Sequence, residues 1–376
     1  MAMTHRERFE TAWRFREPDR VPIELSVSGN AREHPRAAHL VELISEHADN
    51  VTWGHGADWG FFGLPTEYTE ETIEDVPGEQ RRIRRTHKTP AGTFTAVTLH
   101  PAGEIDYHWE KRFVSAVEDL ERLADAPRPK LTWDKLAWRK RMDEVGESEV
   151  PLIYTMHPLG LLVRNSTMEE MYAWFHEHRA LVHRFLAAAN EQVAQAMAGM
   201  IADGIGPYFT VYAHEMLLPP WMGHKLFDEF VYPYDKSVYD VIRKGGCKMR
   251  AHIHGNCMDF LEKLYEMGID AIEPLEHPPY GDVDLAEAKR MVGGRMMLSG
   301  NVHSQDFPTV TPAEVRERVR EAIRLGAPGG GFSLRTSGGD AGTGTTVADD
   351  VMARILENCE AYLLAGLEFG QYPIRL

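Results

Sequence analysis

From residue 150 onward, short apolar runs alternate with longer stretches whose apolar residues recur every three or four positions. Short runs bounded by Gly, Pro and polar clusters read as buried strands, and the periodic stretches between them as amphipathic helices. Strands are predicted at 150–156, 207–213, 247–253, 270–275, 295–300 and 330–334. A long helix is predicted from Asn165, with Met171, Trp174, Phe175, Leu181, Val182 and Phe185 opening a core stripe that runs to Met200. Further helices are predicted over 225–244, 258–267 and 284–292, from Thr311 with Pro312 at its first position, and over 347–365.

Ahead of residue 150 the rhythm is less regular. Thr4 and Glu7 have the spacing of a capping box before Phe9, Ala12 and Trp13, and Pro18 ends that first helix. Residues 21–26 alternate as a strand, with Glu24 a candidate for an inward position, and 51–53 read as a second strand. The stretch 67–114 breaks the pattern. Residues 82–89 and 93–100, turning at Gly92, read as a β-hairpin inserted after the second strand and covering an end or edge of the main domain.

Eight strands with helices between most of them indicate an α/β chain folded as a single (β/α)8 TIM barrel over residues 1–376. The competing doubly wound sheet would place a G-x-G-x-x-G turn after its first strand, and none occurs there.

Composition narrows the partners. With 43% hydrophobic and 26% charged residues the chain is an ordinary globular one, and its net charge of −16 argues against nucleic acid or an anionic membrane. Three cysteines (Cys247, Cys257, Cys359) form no C-x-x-C, the N-terminus has no apolar leader, and no segment approaches a membrane span. The expected location is the cytoplasm.

Barrel enzymes carry their chemistry at the C-terminal ends of the strands. His157, Glu215, His252, His254, Glu273, Glu276, Asn301, His303 and Arg335 all fall there. His252 and His254, two apart at a strand end, point the same way before Gly255 turns the chain. Such a pair supplies two nitrogen ligands to zinc or a related ion, or alternatively holds a substrate carboxylate. His214-Glu215 lacks the second His of H-E-x-x-H, which removes the metalloprotease reading. Asp106-Tyr-His108-Trp-Glu-Lys111 lacks the closing Gly of D-x-H-x-x-G, so the chain has no corrinoid module of its own. The Gly338–Gly344 run follows the last strand, where barrels often bind phosphate, but contains no basic residue.

Several stretches resemble the uroporphyrinogen decarboxylase superfamily. They are Thr4-His-Arg-Glu-Arg with Glu17-Pro-Asp-Arg-Val-Pro22, Phe227-Asp-Glu-Phe-Val-Tyr-Pro-Tyr234, His252-Ile-His-Gly-Asn256, Pro274-Leu-Glu-His-Pro-Pro, Ser299-Gly-Asn-Val302 and Pro328-Gly-Gly-Gly-Phe332. The resemblance covers nearly the whole chain. It implies a barrel housing either porphyrinogen decarboxylation or zinc-dependent methyl exchange with a corrinoid.

The departures favour the second branch. The loop 26–32 offers one Arg where the decarboxylases carry an Arg-rich motif, and their Asp-Asp centre is not evident at His214-Glu215. The methyltransferases carry H-x-C and a later Cys, whereas here the pair is His252-x-His254 and the later position falls on Ser337 or Gly338. The resulting expectation is a zinc site of His252 and His254, with Glu215 first and Glu276 or His303 next as further ligands. Asn301 and Arg335 complete the expected catalytic set. The expected reaction moves a methyl group from a small methoxy or N-methyl substrate to a corrinoid on a separate protein. A metal-free decarboxylase or lyase of a small acid, with His252, His254 and Arg335 holding carboxylate, stands as the alternative, and a non-catalytic binding barrel as a third. The resemblance also implies a homodimer, with Trp133, Trp138 and Trp221 as interface candidates.

Overall fold

The computed structural model describes residues 2–27, 29–103, 107–338 and 347–376. Among them are strands β1 (Ile23–Glu24), β2 (Val51–Trp53), β3 (Glu67–Val76), β4 (Gln80–Thr89), β5 (Gly92–Pro101) and β6 (His108–Lys111). These are followed by β7 (Val150–Tyr154), β8 (Tyr208–Val211), β9 (Lys248–Ile253), β10 (Ala271–Pro274), β11 (Met297–Val302) and β12 (Phe332–Thr336). Eight of them form one parallel sheet in the order β1-β12-β11-β10-β9-β8-β7-β2.

The ring closes between β1 and β2 without a regular ladder. The Asp49 N–H donates to the Ile23 carbonyl at 2.6 Å. The Asn50 side-chain amide then stands in for a strand, accepting from the Leu25 N–H at 3.0 Å and donating to the Leu25 carbonyl at 2.9 Å. This is the expected (β/α)8 barrel, with helices packed around it.

The first helix, His5–Trp13, has the capping box its sequence requires, with Thr4 and Glu7 satisfying each other's backbone. It plugs the N-terminal end of the barrel. Phe9, Ala12 and Trp13 pack with Val150, Leu152, Tyr208, Ala271 and Met297, and Trp13 stacks on Tyr208 at 4.7 Å. Arg8 and Arg20 both grip buried Asp49, at 2.6 and 2.5 Å, and pin this plug to the strand closure.

The insertion is larger than a hairpin. β3–β6 make a four-stranded antiparallel sheet in sequence order. The sequence hid β3 because almost every residue of it is exposed, so it has no apolar alternation. Cross-strand charges hold it instead: Glu70 with Arg85 at 3.2 Å and Glu71 with Arg84 at 3.1 Å. Phe94 and Ala96 of β5 turn inward, and Phe94 packs on Phe61 at 5.2 Å.

Two predicted long helices are each divided. The stretch after Asn165 forms Met168–Glu177 and Arg179–Ala202, broken at His178, and 224–244 forms His224–Phe230 and Tyr232–Lys244. The second break falls ahead of Pro233, whose ring excludes the preceding turn's hydrogen bonding. Trp138 is buried in the core, and Trp133 is partly buried with its Nε1 bonded to Asp203. Of the three tryptophans named for an interface, Trp221 is the exposed one, at 49%. Among the described residues no helix is long and apolar enough to cross a membrane.

Candidate functional site

β9 places alternate residues on opposite faces, as a strand must. Met249, Ala251 and Ile253 join the hydrophobic core. Arg250, His252 and His254 climb the other face, from 1% to 20% to 38% side-chain exposure. The motif therefore rises from the sealed barrel interior to the open mouth.

Each histidine meets a carboxylate from the neighbouring strand. Glu273 lies opposite His252 in the β9–β10 register, and its Oε1 is 3.0 Å from His252 Nδ1. Glu276, just past β10, brings Oε1 to 3.1 Å from His254 Nδ1 and accepts the Gly255 N–H through Oε2 at 2.8 Å. A carboxylate on Nδ1 fixes the proton there and leaves Nε2 as the free lone pair, the arrangement that orients metal-binding imidazoles. The bond to Glu276 also raises the pKa of His254 above its ordinary value, against some desolvation. The residue between β10 and Glu276, Leu275, adopts a left-handed φ of 55°, and Ala213, before His214, one of 79°. Local strain of this kind in non-glycine residues gathers at working sites.

Below the histidines the barrel is filled by ions. Glu24 Oε2 lies 2.7 Å from both Arg250 Nη2 and Arg335 Nη1. Glu24 Oε1 accepts from Ser299 Oγ at 2.7 Å and Ser333 Oγ at 2.9 Å. Arg335 Nε approaches Glu273 Oε2 to 2.8 Å, an ion pair whose N–H is not well aimed at the oxygen. Burial works against the charge of Glu24 and Glu273, but the guanidiniums, joined at Glu273 by His252, outweigh it and hold both below the usual carboxylate range.

The remaining predicted residues divide between this rim and its surroundings. Glu215 sits on a short turn after β8, 3.5 Å from Arg164, and its Oε2 is buried with no hydrogen-bond partner. Its charge is felt at His254. His303 has both ring nitrogens occupied, by Ser337 Oγ at 2.9 Å and the His277 carbonyl at 3.1 Å. Asn301 lines a separate cleft of about 610 Å³ with His277, Asp284 and residues of helix Pro312–Gly326. Arg335 is engaged by Glu24 and Glu273. The Gly338–Gly344 run lies, beyond Gly338, outside the described residues, as does Asp106.

An aromatic wall borders the mouth. Tyr212 packs against His252 at 5.0 Å, Trp53 at 5.7 Å and Tyr154 at 6.2 Å. Two cavities of about 290 Å³ each share Trp53 and Tyr212. One reaches Arg164 and Leu161, the other Asn50, Thr52 and Arg335.

The family model for uroporphyrinogen decarboxylase (URO-D) matches residues 98–338, well over half of the chain. The chain belongs to the uroporphyrinogen decarboxylase family. A methyltransferase from Methanosarcina mazei aligns over 98% of this chain and 99% of its own, at 16% identity and a TM-score of 0.57. At that identity the match speaks for the fold. A fructose-1,6-biphosphate aldolase candidate from Coccidioides immitis covers 62% of this chain and 83% of its own at 12% identity, and its TM-score of 0.27 carries no argument. No curated protein matches by sequence.

This uroporphyrinogen decarboxylase family chain also contains a cluster that sequence reasoning missed. His157 and His214, each three residues past β7 and β8, both bring Nε2 to Asp235 Oδ2, at 2.9 and 3.0 Å. All three are buried, and burial together with the charge of His157 lowers the pKa of His214. Asp235, which burial alone would raise, is held at about 2 by the two imidazoles. Among the described residues this is the one trio whose donor atoms gather within 4.8 Å. The rings, however, are stacked at 4.3 Å and only 10° from parallel. Their in-plane lone pairs run side by side and do not converge on one ion; Asp235 Oδ2 hydrogen-bonds His214 Nε2 and faces His157 Nε2 as an ion-pair contact whose N–H is not well aimed. The trio is a charged clamp that ties the segments after two barrel strands to helix Tyr232–Lys244. The spacing His157…His214…Asp235 carries no local motif, and only the fold assembles it.

His252 and His254 differ from the trio in that their rings, 4.5 Å apart, stand at 82° to one another. Their Nδ1 atoms are committed to carboxylates, which leaves two Nε2 donors at the mouth, and Glu215 adds an orphaned buried oxygen nearby. The set is nitrogen and oxygen only, with Ser337 bonded to His303 and Gln305 in the region where a thiolate was sought.

Proposed function

We propose that this barrel is a metal-dependent methyltransferase. It takes a methyl group from a small methoxy or N-methyl compound and passes it to a corrinoid carried by a separate protein. The observation that carries the reading is the paired carboxylate–histidine arrangement, Glu273–His252 and Glu276–His254, at the mouth of a uroporphyrinogen decarboxylase family barrel. Its likeness in fold to a methyltransferase supports the same direction.

In this reading His252 and His254 hold zinc through Nε2, and Glu215 is the third protein ligand. A zinc ion there would act as a Lewis acid on the oxygen or nitrogen that the methyl group leaves. Glu273 and Glu276 aim the two imidazoles, while Glu276 and Gln305, in contact at 3.3 Å, tie the loop after β10 to that after β11. Tyr212 and Trp53 wall both candidate substrate cavities, and Tyr154 walls one of them. The decarboxylase alternative needs a cation free to hold a substrate carboxylate, and Arg335 is already bound at 2.7 and 2.8 Å by Glu24 and Glu273. Assembly as a cytoplasmic homodimer, with Trp221 as an exposed anchor, belongs to the same proposal, and a monomer mass by light scattering would overturn that part.

The test is metal analysis of the purified protein, followed by a screen of methylated aromatics and amines with a methyl-accepting corrinoid protein. Stoichiometric zinc, and methylation lost on chelation and in His252→Ala, is the expected result. Absence of zinc with activity unchanged by chelation would sink the proposal. CO₂ release from a small acid without corrinoid would establish the decarboxylase instead.

A further inference from the structure

The interior of a barrel of this kind is ordinarily packed with branched apolar side chains. Here two carboxylates and two guanidiniums occupy it directly beneath His252. We infer that Glu24, more than two hundred residues away in sequence, is a positioning residue for His252, acting through Arg335 and Arg250 on Glu273. The inference rests on the reading of His252 Nε2 as the working atom and adds what holds that atom in place.

The chain of contacts is continuous. Glu273 has two oxygens with two tasks: Oε1 receives His252 Nδ1 at 3.0 Å, and Oε2 faces Arg335 Nε at 2.8 Å. A terminal carboxylate torsion is broad, so one oxygen alone would leave the group free to swing. With Oε2 drawn towards the Arg335 charge, Oε1 is left facing the imidazole. Arg335 is fixed in turn by Glu24 Oε2 at 2.7 Å, the same oxygen that holds Arg250 at 2.7 Å. Glu24 itself cannot rotate, because Ser299 and Ser333 occupy its other oxygen. Side-chain exposure is 3% at Glu24, 1% at Arg250 and 4% at Glu273, against 20% at Arg335, so the three inner members of the cluster are shielded from water. Two positive and two negative charges leave the cluster neutral.

A structural role alone accounts poorly for this cluster. Buried ion pairs cost desolvation that their attraction only partly returns, and apolar replacements of equal volume are often as stable. The cluster gains its meaning from ending on His252 Nδ1, where an acceptor oxygen decides which ring nitrogen keeps the free lone pair.

Glu24→Gln keeps the size and the serine contacts but weakens the hold on both guanidiniums. Three readouts on the full chain decide the matter: the His252 ring ¹⁵N shifts in metal-free protein, Co²⁺ affinity by chelator competition, and thermal melting. Glu24→Gln should mix the tautomers of His252 while leaving His254, oriented separately by Glu276, as it was. Co²⁺ affinity should fall roughly tenfold or more. Glu273→Gln should do the same more strongly, and the double variant should bind no more weakly than Glu273→Gln alone. Should Glu24→Gln not fold, Ser299→Ala with Ser333→Ala loosens Glu24 more gently and is expected to act in the same direction. A lower melting temperature with wild-type His252 shifts and Co²⁺ affinity would overturn the inference. So would effects of Glu24→Gln and Glu273→Gln that simply add. Should the wild-type protein bind no Co²⁺, the metal reading falls, and the His252 tautomer in metal-free protein still decides the positioning role.

Discussion

Glu276 Oε1 lies 3.1 Å from His254 Nδ1 while its Oε2 takes the Gly255 N–H at 2.8 Å. One carboxylate thus aims the upper motif histidine and fixes the turn that follows it. Glu276→Gln retains only one acceptor oxygen and loses the charge, so it cannot serve both partners. Zinc affinity by competition titration should fall about 10–100-fold with the fold intact. His252→Ala and His254→Ala should each abolish binding. His277→Ala should not, since His277 lies in the proline-rich loop beyond the strand and its ring packs 3.8 Å from that of His303. Loss of metal in His277→Ala with retention in His252→Ala would place the centre on the wrong loop.

The barrel and the β9 motif were legible in the sequence because both rest on local periodicity. Period-two alternation alone put His252 and His254 on one face, and the capping box at Thr4 and Glu7 set the first helix. What the sequence concealed depends on contacts made across the fold. Glu276 and His303 stand at strand ends like the motif histidines, but their partners come from other loops, and these occupy them as a hydrogen-bonding carboxylate and a doubly bonded imidazole. Arg335 had the chemistry to bind a substrate carboxylate, and only the fold reveals that Glu24 and Glu273 reach it first. Asp235 lay inside a helix with no motif to mark it. β3 lacked any apolar face because its stabilisation is ionic and cross-strand.

The His157–Asp235–His214 clamp yields a prediction opposite in kind to that for the motif histidines. Asp235→Asn replaces a charged acceptor shared by two buried imidazoles with a neutral one. A loss of about 2–4 kcal/mol in urea denaturation is expected, near the cost of breaking a buried charged pair. Any fall in melting temperature on chelation should be as large in Asp235→Asn as in the wild type, because stacked rings at 4.3 Å offer no common focus for an ion. A chelator-induced drop in melting temperature that vanishes in Asp235→Asn would show that the trio holds a metal after all.

The stability of the protein should fall on mild acidification, with His303 as one source. Burial, followed by the nearby His277, pushes His303 down from 6.5 to about 4. Between those values the unfolded chain binds the extra proton and the folded chain resists it, so stability declines as pH drops from about 6.5 towards 4. The contribution is at most on the order of 3 kcal/mol. His254, raised by Glu276, acts in the reverse sense: its contribution is present at low pH and fades as pH rises through its folded value. The depressed carboxylates Glu24 and Glu276 add their losses only below about 4.5. His303→Gln should therefore flatten the dependence between pH 6.5 and 4 in urea titrations. Equal slopes for variant and wild type would remove His303 from the account.

Closure of the barrel relies on side chains, Asn50 on Leu25 and Asp49 on Ile23, in place of a regular ladder. Asn50 both donates to and accepts from the Leu25 backbone, at 2.9 and 3.0 Å, where β1 and β2 would otherwise present unpaired edges. Asn50→Ala leaves a donor and an acceptor of Leu25 without partners in a largely buried seam, and each such group costs about 1–3 kcal/mol unless water replaces the lost contact. A net loss of roughly 2 kcal/mol in denaturant unfolding is expected. Amide exchange at Leu25 should quicken well beyond that of Ile23, whose N–H is held by Asp49 Oδ2 at 2.9 Å. Asn50→Asp keeps the acceptor and removes the donor, so it should fall between the wild type and alanine, with the Leu25 amide still protected. Because Glu24 lies on β1 between these two residues, loosening the seam should also disturb the ion cluster that Glu24 anchors. Asn50→Ala should accordingly weaken Co²⁺ binding in parallel with the Leu25 exchange rate. If exchange at Leu25 is unchanged in Asn50→Ala, the ring is closed by the Asp49–Ile23 bond and the helical plug, and the asparagine is dispensable.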